Sequence, residues 1–65
     1  MMERLLTGEE VADLLSKSVW VVNALVRDGE IAYVDFGSKG RRYRMEDVRD
    51  LVEHRLVPAR TRRAA

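Results

Sequence analysis

The chain contains no cysteine, so it has no disulfide framework, thiolate zinc site or cysteine nucleophile. Its one histidine, His54, has no other histidine or cysteine at metal-ligand spacing and no serine arranged around it as a nucleophile. His54 therefore reads as a surface residue near a helix C-terminus, and no metal or other cofactor is expected. Apolar runs are short. None approaches the roughly 18 residues needed to span a bilayer, so no membrane association is expected. The N-terminus, MMERLLTGEE, becomes acidic at once and lacks the apolar run of a signal peptide. A cytoplasmic protein is the expectation. Aromatic residues are only 6% of the chain, and the single proline, Pro58, lies close to the C-terminus. With 65 residues the chain is one small domain without room for a substrate cleft between two domains, which argues against an enzyme.

The formal net charge is only +1, but it is unevenly distributed. Residues 1–36 carry three cationic against seven acidic side chains, and residues 37–65 carry nine against four. A basic second half on a nearly neutral chain fits a localised phosphate-contacting surface. Opposite poles also permit head-to-tail attraction between copies.

Along the chain, Thr7-Gly8-Glu9-Glu10 has the form of a capping box, with Leu6 and Val11 placed as its hydrophobic staple. Val11, Leu14 and Leu15 then form one apolar stripe, and Glu9, Glu10 and Asp13 lie outside it. Ser16-Lys17-Ser18 interrupts the pattern, and the Ser18 hydroxyl is expected to cap a second helix. In that helix Val22, Leu25 and Val26 face inward, while Val19, Trp20, Asn23 and Arg27 face outward. Gly29 follows as a left-handed cap. Two helices joined by so short a turn are suited to placing the second in a DNA major groove. Trp20 has two readings: it completes a core poor in aromatics, or it stands exposed against a sugar-phosphate edge or a thymine methyl. Asn23 is the outward residue best suited to a base edge, because its amide can pair with adenine through two hydrogen bonds.

From Glu30 the periodicity changes. Ile31, Tyr33, Val34 and Phe36 belong to one β-rich run, and Tyr43 and Met45 to another. Between them Gly37-Ser38-Lys39-Gly40 is a turn, so the pair reads as a wing whose Lys39, Arg41 and Arg42 reach phosphate or a minor groove. The turn is not a nucleotide phosphate loop, since it lacks that motif's spacing and context. Met45-Glu46-Asp47 opens a third helix with acids in its first turn. Val48, Leu51, Val52 and the stem of Arg55 face the core, and Arg49, Asp50 and Glu53 face out. Pro58 ends this helix, leaving Leu56 and Val57 as candidates for self-association. The expected architecture is α+β: a small winged helix-turn-helix in the order α-α-β-β-α over residues 1–58. Residues 59–65 form a basic tail whose Arg60, Arg62 and Arg63 add phosphate contact.

The succession LLTGEEVADLL, SxxxVxxLVRDGEI and VxFGSKGRRYRMEDVRDLV resembles the small excisionase-like proteins built on a MerR-type winged helix. The resemblance covers about residues 5–57. It implies a DNA-bending recombination directionality factor of a temperate phage or integrative element. Such a factor binds beside an attachment site, guides an integrase toward excision, assembles in cooperative side-by-side arrays and has no catalysis of its own. A small transcriptional regulator has the same fold, and a protein-interaction module using Trp20, Leu56 and Val57 is a third reading. Matching positions place DNA contact on Lys17, Ser18, Val19, Trp20, Asn23, Arg27, Lys39, Arg41 and Arg42. The pattern departs from its relatives in two places. Ser16 and Lys17 stand where glycine and a small apolar residue are usual, and Val19 and Trp20 stand where arginines are usual.

Overall fold

The computed structural model describes residues 4–59. The first helix, α1 (Gly8–Leu15), begins on the capping box expected from the sequence. The Thr7 amide donates to Glu10 Oε1 at 2.9 Å, and the Glu10 amide donates to Thr7 Oγ1 at 3.1 Å. Arg4 clasps the same Glu10 carboxylate. These bonds occupy amides that a helix start otherwise leaves without partners. The helix ends where Ser16 enters the left-handed region at φ 57°, and the Lys17 amide then donates to the Ala12 carbonyl at 2.8 Å.

The second helix, α2 (Val19–Arg27), starts at Ser18 as expected, but the serine hydroxyl makes no capping bond. The first turn is held by the backbone instead, the Ser18 carbonyl accepting from the Val21 and Val22 amides. At its far end Gly29, at φ 73°, completes a left-handed stop. The Glu30 amide donates to the Leu25 carbonyl and the Gly29 amide to the Val26 carbonyl, the paired bonds of a Schellman motif.

The ladder is shorter than the hydrophobic runs suggest. Strand β1 (Val34–Asp35) pairs antiparallel with β2 (Arg41–Arg42), Val34 opposite Arg42 and Asp35 opposite Arg41. A 3-10 turn (Gly37–Lys39) joins them. Ile31 precedes the ladder and is buried, Tyr33 and Phe36 are exposed beside it, and Met45 belongs to the next helix rather than to a strand. Tyr43 makes an additional bridge to Leu6, with amide–carbonyl bonds of 2.7 and 2.8 Å in both directions. The chain segment ahead of α1 is thus stitched to the end of the wing.

The third helix, α3 (Met45–Arg55), starts from an extended Arg44. Arg44 holds the buried Asp47 with two hydrogen bonds, from Nε at 2.6 Å and Nη2 at 2.9 Å. The two bonds meet both oxygens of a carboxylate that is otherwise shielded from water. The adjoining Asp47, Glu46 and Asp50 carboxylates raise the Arg44 pKa above its ordinary value, the Asp47 hydrogen bond contributing most. Leu56 leaves the helix with extended backbone ahead of Val57-Pro58.

The core gathers Val11, Ala12, Val22, Ile31, Tyr43, Val48 and Leu51, with Leu6, Leu15, Leu25 and Val26 packed against it. Val11 and Val22 are completely buried. Two expected core residues are not in it. Leu14 is 52% exposed, while Ala12, about 160° around α1 from it, is buried. Val52 is 50% exposed because no described element covers that side of α3. Arg55 spends its head group on Glu30, Nε donating to Oε1 at 2.9 Å, which ties the end of α3 to the segment following α2. The order α1-α2-β1-β2-α3 is that of a winged helix-turn-helix.

Candidate nucleic-acid interface

Helical periodicity separates α2 into two faces. At about 100° per residue, Trp20 lies about 160° around the axis from Val22. Val22 is fully buried, while Trp20 is 84% exposed, so the alternative in which Trp20 fills the core is excluded. Asn23 and Arg27, three and seven residues on, share the Trp20 stripe and are exposed. Val19 lies at its edge and is partly covered. Ser18 is exposed, and its hydroxyl is not used by the helix start. Lys17 stands apart from the stripe: it lines an apolar groove with Leu15, Val21, Leu25, Leu56 and Val57.

The wing tip is a well-tied turn. Asp35 Oδ1 accepts from the Gly37 amide at 2.8 Å, the Phe36 amide donates to the Gly40 carbonyl at 2.9 Å, and the Gly40 amide donates to the Gly37 carbonyl at 2.9 Å. Gly37 and Gly40 have φ of 67° and 91°, conformations that a side chain disfavours. Open space surrounds the Cβ position at Gly37, so backbone conformation rather than crowding calls for glycine there. On this turn Lys39 and Arg41 are exposed and Arg42 is half-buried. Arg41 lies over the Tyr33 ring, 5.4 Å from its centroid, and Arg42 Nη1 donates to the Arg41 carbonyl at 2.9 Å.

The arrangement of ion pairs separates two kinds of cation. Arg4, Arg44 and Arg55 are engaged with Glu10, with Glu46 and Asp47, and with Glu30. Arg27 makes a longer contact of 3.9 Å with Asp28. Among the described residues, Lys17, Lys39, Arg41, Arg42 and Arg49 have no carboxylate within ion-pair distance. The wing cations are therefore available to an external anion without breaking an internal pair. Arg60, Arg62 and Arg63, expected to add phosphate contact, lie outside the described residues.

Three features of the structure did not emerge from the sequence reading: the Tyr33 platform beneath Arg41, the Asp35 side chain that folds the tip, and Arg49 on α3, which has no carboxylate partner among the described residues. The Asp35-Phe36-Gly37 order carried a legible signal, since an aspartate two residues before a glycine often accepts from that amide. The other two depend on tertiary placement.

Among the described residues no cluster of side chains is arranged to hold a metal ion, and no helix is long and apolar enough to cross a membrane. No curated protein and no solved structure matches the chain. A family model described as a helix-turn-helix domain matches residues 5–56, from the segment that bridges to the wing through the end of α3. The chain therefore belongs to this family of DNA-binding helix-turn-helix domains, which includes excisionase-like proteins.

Proposed function

We propose that the protein is an excisionase: it binds double-stranded DNA at attachment-site arms, bends it, and directs a partner integrase toward excision. The wing cations are the observation that carries the DNA-contacting part of this reading: Arg4, Arg27, Arg44 and Arg55 are engaged with carboxylates, whereas Lys39, Arg41 and Arg42 cluster on one turn with no carboxylate partner among the described residues. In this reading α2 enters the major groove with the Trp20–Asn23–Arg27 stripe toward the bases, and Ser18 and Lys17 meet the backbone beside it. Lys39, Arg41 and Arg42 grip the adjoining phosphates or minor groove, and Arg60, Arg62 and Arg63 extend the contact. Asn23 pairs with an adenine edge. The protein has no catalytic step of its own.

The finer part, control of recombination, draws on the excisionase-like membership of the family and on the uneven charge of the chain. A copy with an acidic first half and a basic second half can dock head to tail on a neighbour. Successive copies would then bend the duplex by adding small deformations.

The test combines the protein with its element's attachment-site DNA and cognate integrase. An excisionase raises excision and depresses integration, and footprints extend across adjacent sites as its concentration rises. Salt-dependent binding without any effect on either reaction would instead identify a transcriptional regulator using the same surface. Absence of salt-dependent DNA binding would leave an exposed Trp20, Leu56 and Val57 as the contact surface of a protein-interaction module.

A further inference from the structure

In helix-turn-helix proteins the N-terminal residues of the second helix reach the base edges. Here those positions hold Val19, Trp20 and Asn23, all at the surface. None carries a positive charge. Two-bond recognition of guanine O6 and N7 calls for arginine or lysine. The one cation of α2, Arg27, sits in its last turn, about 10 Å along the axis from Trp20, with its guanidinium 3.9 Å from Asp28. Lys17 precedes the helix and lines the apolar groove of α1, α2 and α3, away from the stripe.

The available side chains suit the other base pair. The thymine 5-methyl is the apolar group on the major-groove edge, and adenine presents N7 and the N6 amino group to a side-chain amide. The 84% exposed indole of Trp20 is the largest apolar surface on this face of the helix and makes no contribution to the core. Transfer of that surface from water onto a methyl group is favourable through the same apolar burial that folds the domain.

Resting on the reading of α2 as the groove-entering helix, we infer that it selects A·T base pairs. Trp20 and Val19 pack on thymine 5-methyl groups, and Asn23 donates to N7 and accepts from N6 of an adenine. Trp20 is then a specificity-determining residue, and the lack of arginines early in α2 defines the preferred base pairs.

The full chain is used to select duplexes from a random-sequence pool, and the recovered duplex is remade with deoxyuridine in place of thymidine, which deletes only the 5-methyl. The recovered core is rich in A·T pairs, and each methyl deleted beneath α2 weakens binding roughly fourfold, the factor for one buried methylene. Trp20→Ala loses most of the discrimination between the two duplexes while keeping the salt dependence of binding. Asn23→Ala keeps the methyl effect and loses preference for adenine at one position. Circular dichroism and the melting temperature confirm that both variants are folded, as expected for exposed positions. Equal binding of the wild-type chain to both duplexes, with a steep salt slope intact, overturns the methyl contact and leaves the DNA-binding reading standing. Absence of salt-dependent binding to any recovered duplex overturns both.

Discussion

Simultaneous replacement of Lys39, Arg41 and Arg42 by alanine separates the wing's contribution from that of the rest of the protein. Folding should survive, because the tip is held by backbone bonds and by Asp35, not by these side chains. The intramolecular losses are the Arg41 stack on Tyr33, worth about 0.5–1 kcal/mol at an exposed site, and the exposed hydrogen bond from Arg42 Nη1 to the Arg41 carbonyl. The effect on binding is larger and has a distinct signature. Each phosphate neutralised adds about −0.9 to the slope of log K against log salt concentration, so three contacts contribute about −2.7. Between about 50 and 200 mM salt the wild-type chain would therefore lose roughly 40-fold more affinity than the variant. Fluorescence anisotropy on one duplex, repeated across that salt range, measures both slopes. Arg49→Ala is a single-charge control, since Arg49 is also without an ion pair among the described residues but belongs to α3 rather than to the wing. An unchanged slope in the triple variant would remove the wing from the interface. A flattening of about 0.9 in Arg49→Ala, one third of that in the triple variant, would mean that net charge, not position, governs affinity.

Two further substitutions test the frame that positions the site. Ser16→Gly should stabilise the domain by roughly 0.5–1 kcal/mol, because Ser16 occupies the left-handed region at φ 57°, where a Cβ costs about 1–2 kcal/mol, offset in part by glycine's greater unfolded-state freedom. Thermal denaturation checks this, and equal stability of Ser16→Gly and Ser16→Val would refute it. Glu10 has a pKa below its ordinary value of 4.5, chiefly because the Thr7 amide donates to its carboxylate, with Arg4 adding attraction and partial burial opposing both. A depressed value means that the ionised capping box stabilises the fold above about pH 4.5 and loses that contribution as pH falls through the folded-state value. Glu10→Gln keeps a side-chain acceptor for the cap but cannot ionise, so its melting temperature should fall less between pH 6 and pH 3 than that of wild type. Parallel acid dependence of the two proteins would show that Glu10 is not linked to folding.

The elements with local signals were legible in the sequence. The capping box, the left-handed Gly29, the inward stripe of α2 and the acidic opening of α3 each depend on residues within one or two turns, and each was found where expected. Long-range placement set the rest. A stripe at helical spacing pointed to Leu14, but burial depends on which side of α1 meets α2, and that favoured Ala12. The runs around Tyr33, Phe36 and Met45 have β propensity, yet only two residue pairs complete the ladder, because Phe36 and Gly40 close the turn early. Asp47 looked like a helix-dipole acid and is also a buried partner of Arg44; only tertiary packing reveals that second role. The outward character of Trp20 could not be settled from composition, since a core short of aromatics has use for it.

The wing and the helix pair are not independent attachments, and the reason is Tyr43. It follows directly after Arg41 and Arg42, is almost completely buried, and pairs through its backbone with Leu6 immediately ahead of the α1 cap. A hairpin with a two-pair ladder is too short to hold its own orientation. Anchoring its second strand in the core and bridging it to the start of α1 fixes the direction in which the tip cations leave the domain. The same two residues connect that direction to α2, because α1 and α2 share the buried contacts of Val11, Ala12 and Val22. Phosphate contact by the wing would then set the depth and angle at which α2 meets the groove, so a wing that carries no base information still decides which bases Trp20 and Asn23 can reach. On this account the charge resides mainly in the hairpin and the sequence preference in α2, and the bridge between Leu6 and Tyr43 makes the two act as one surface.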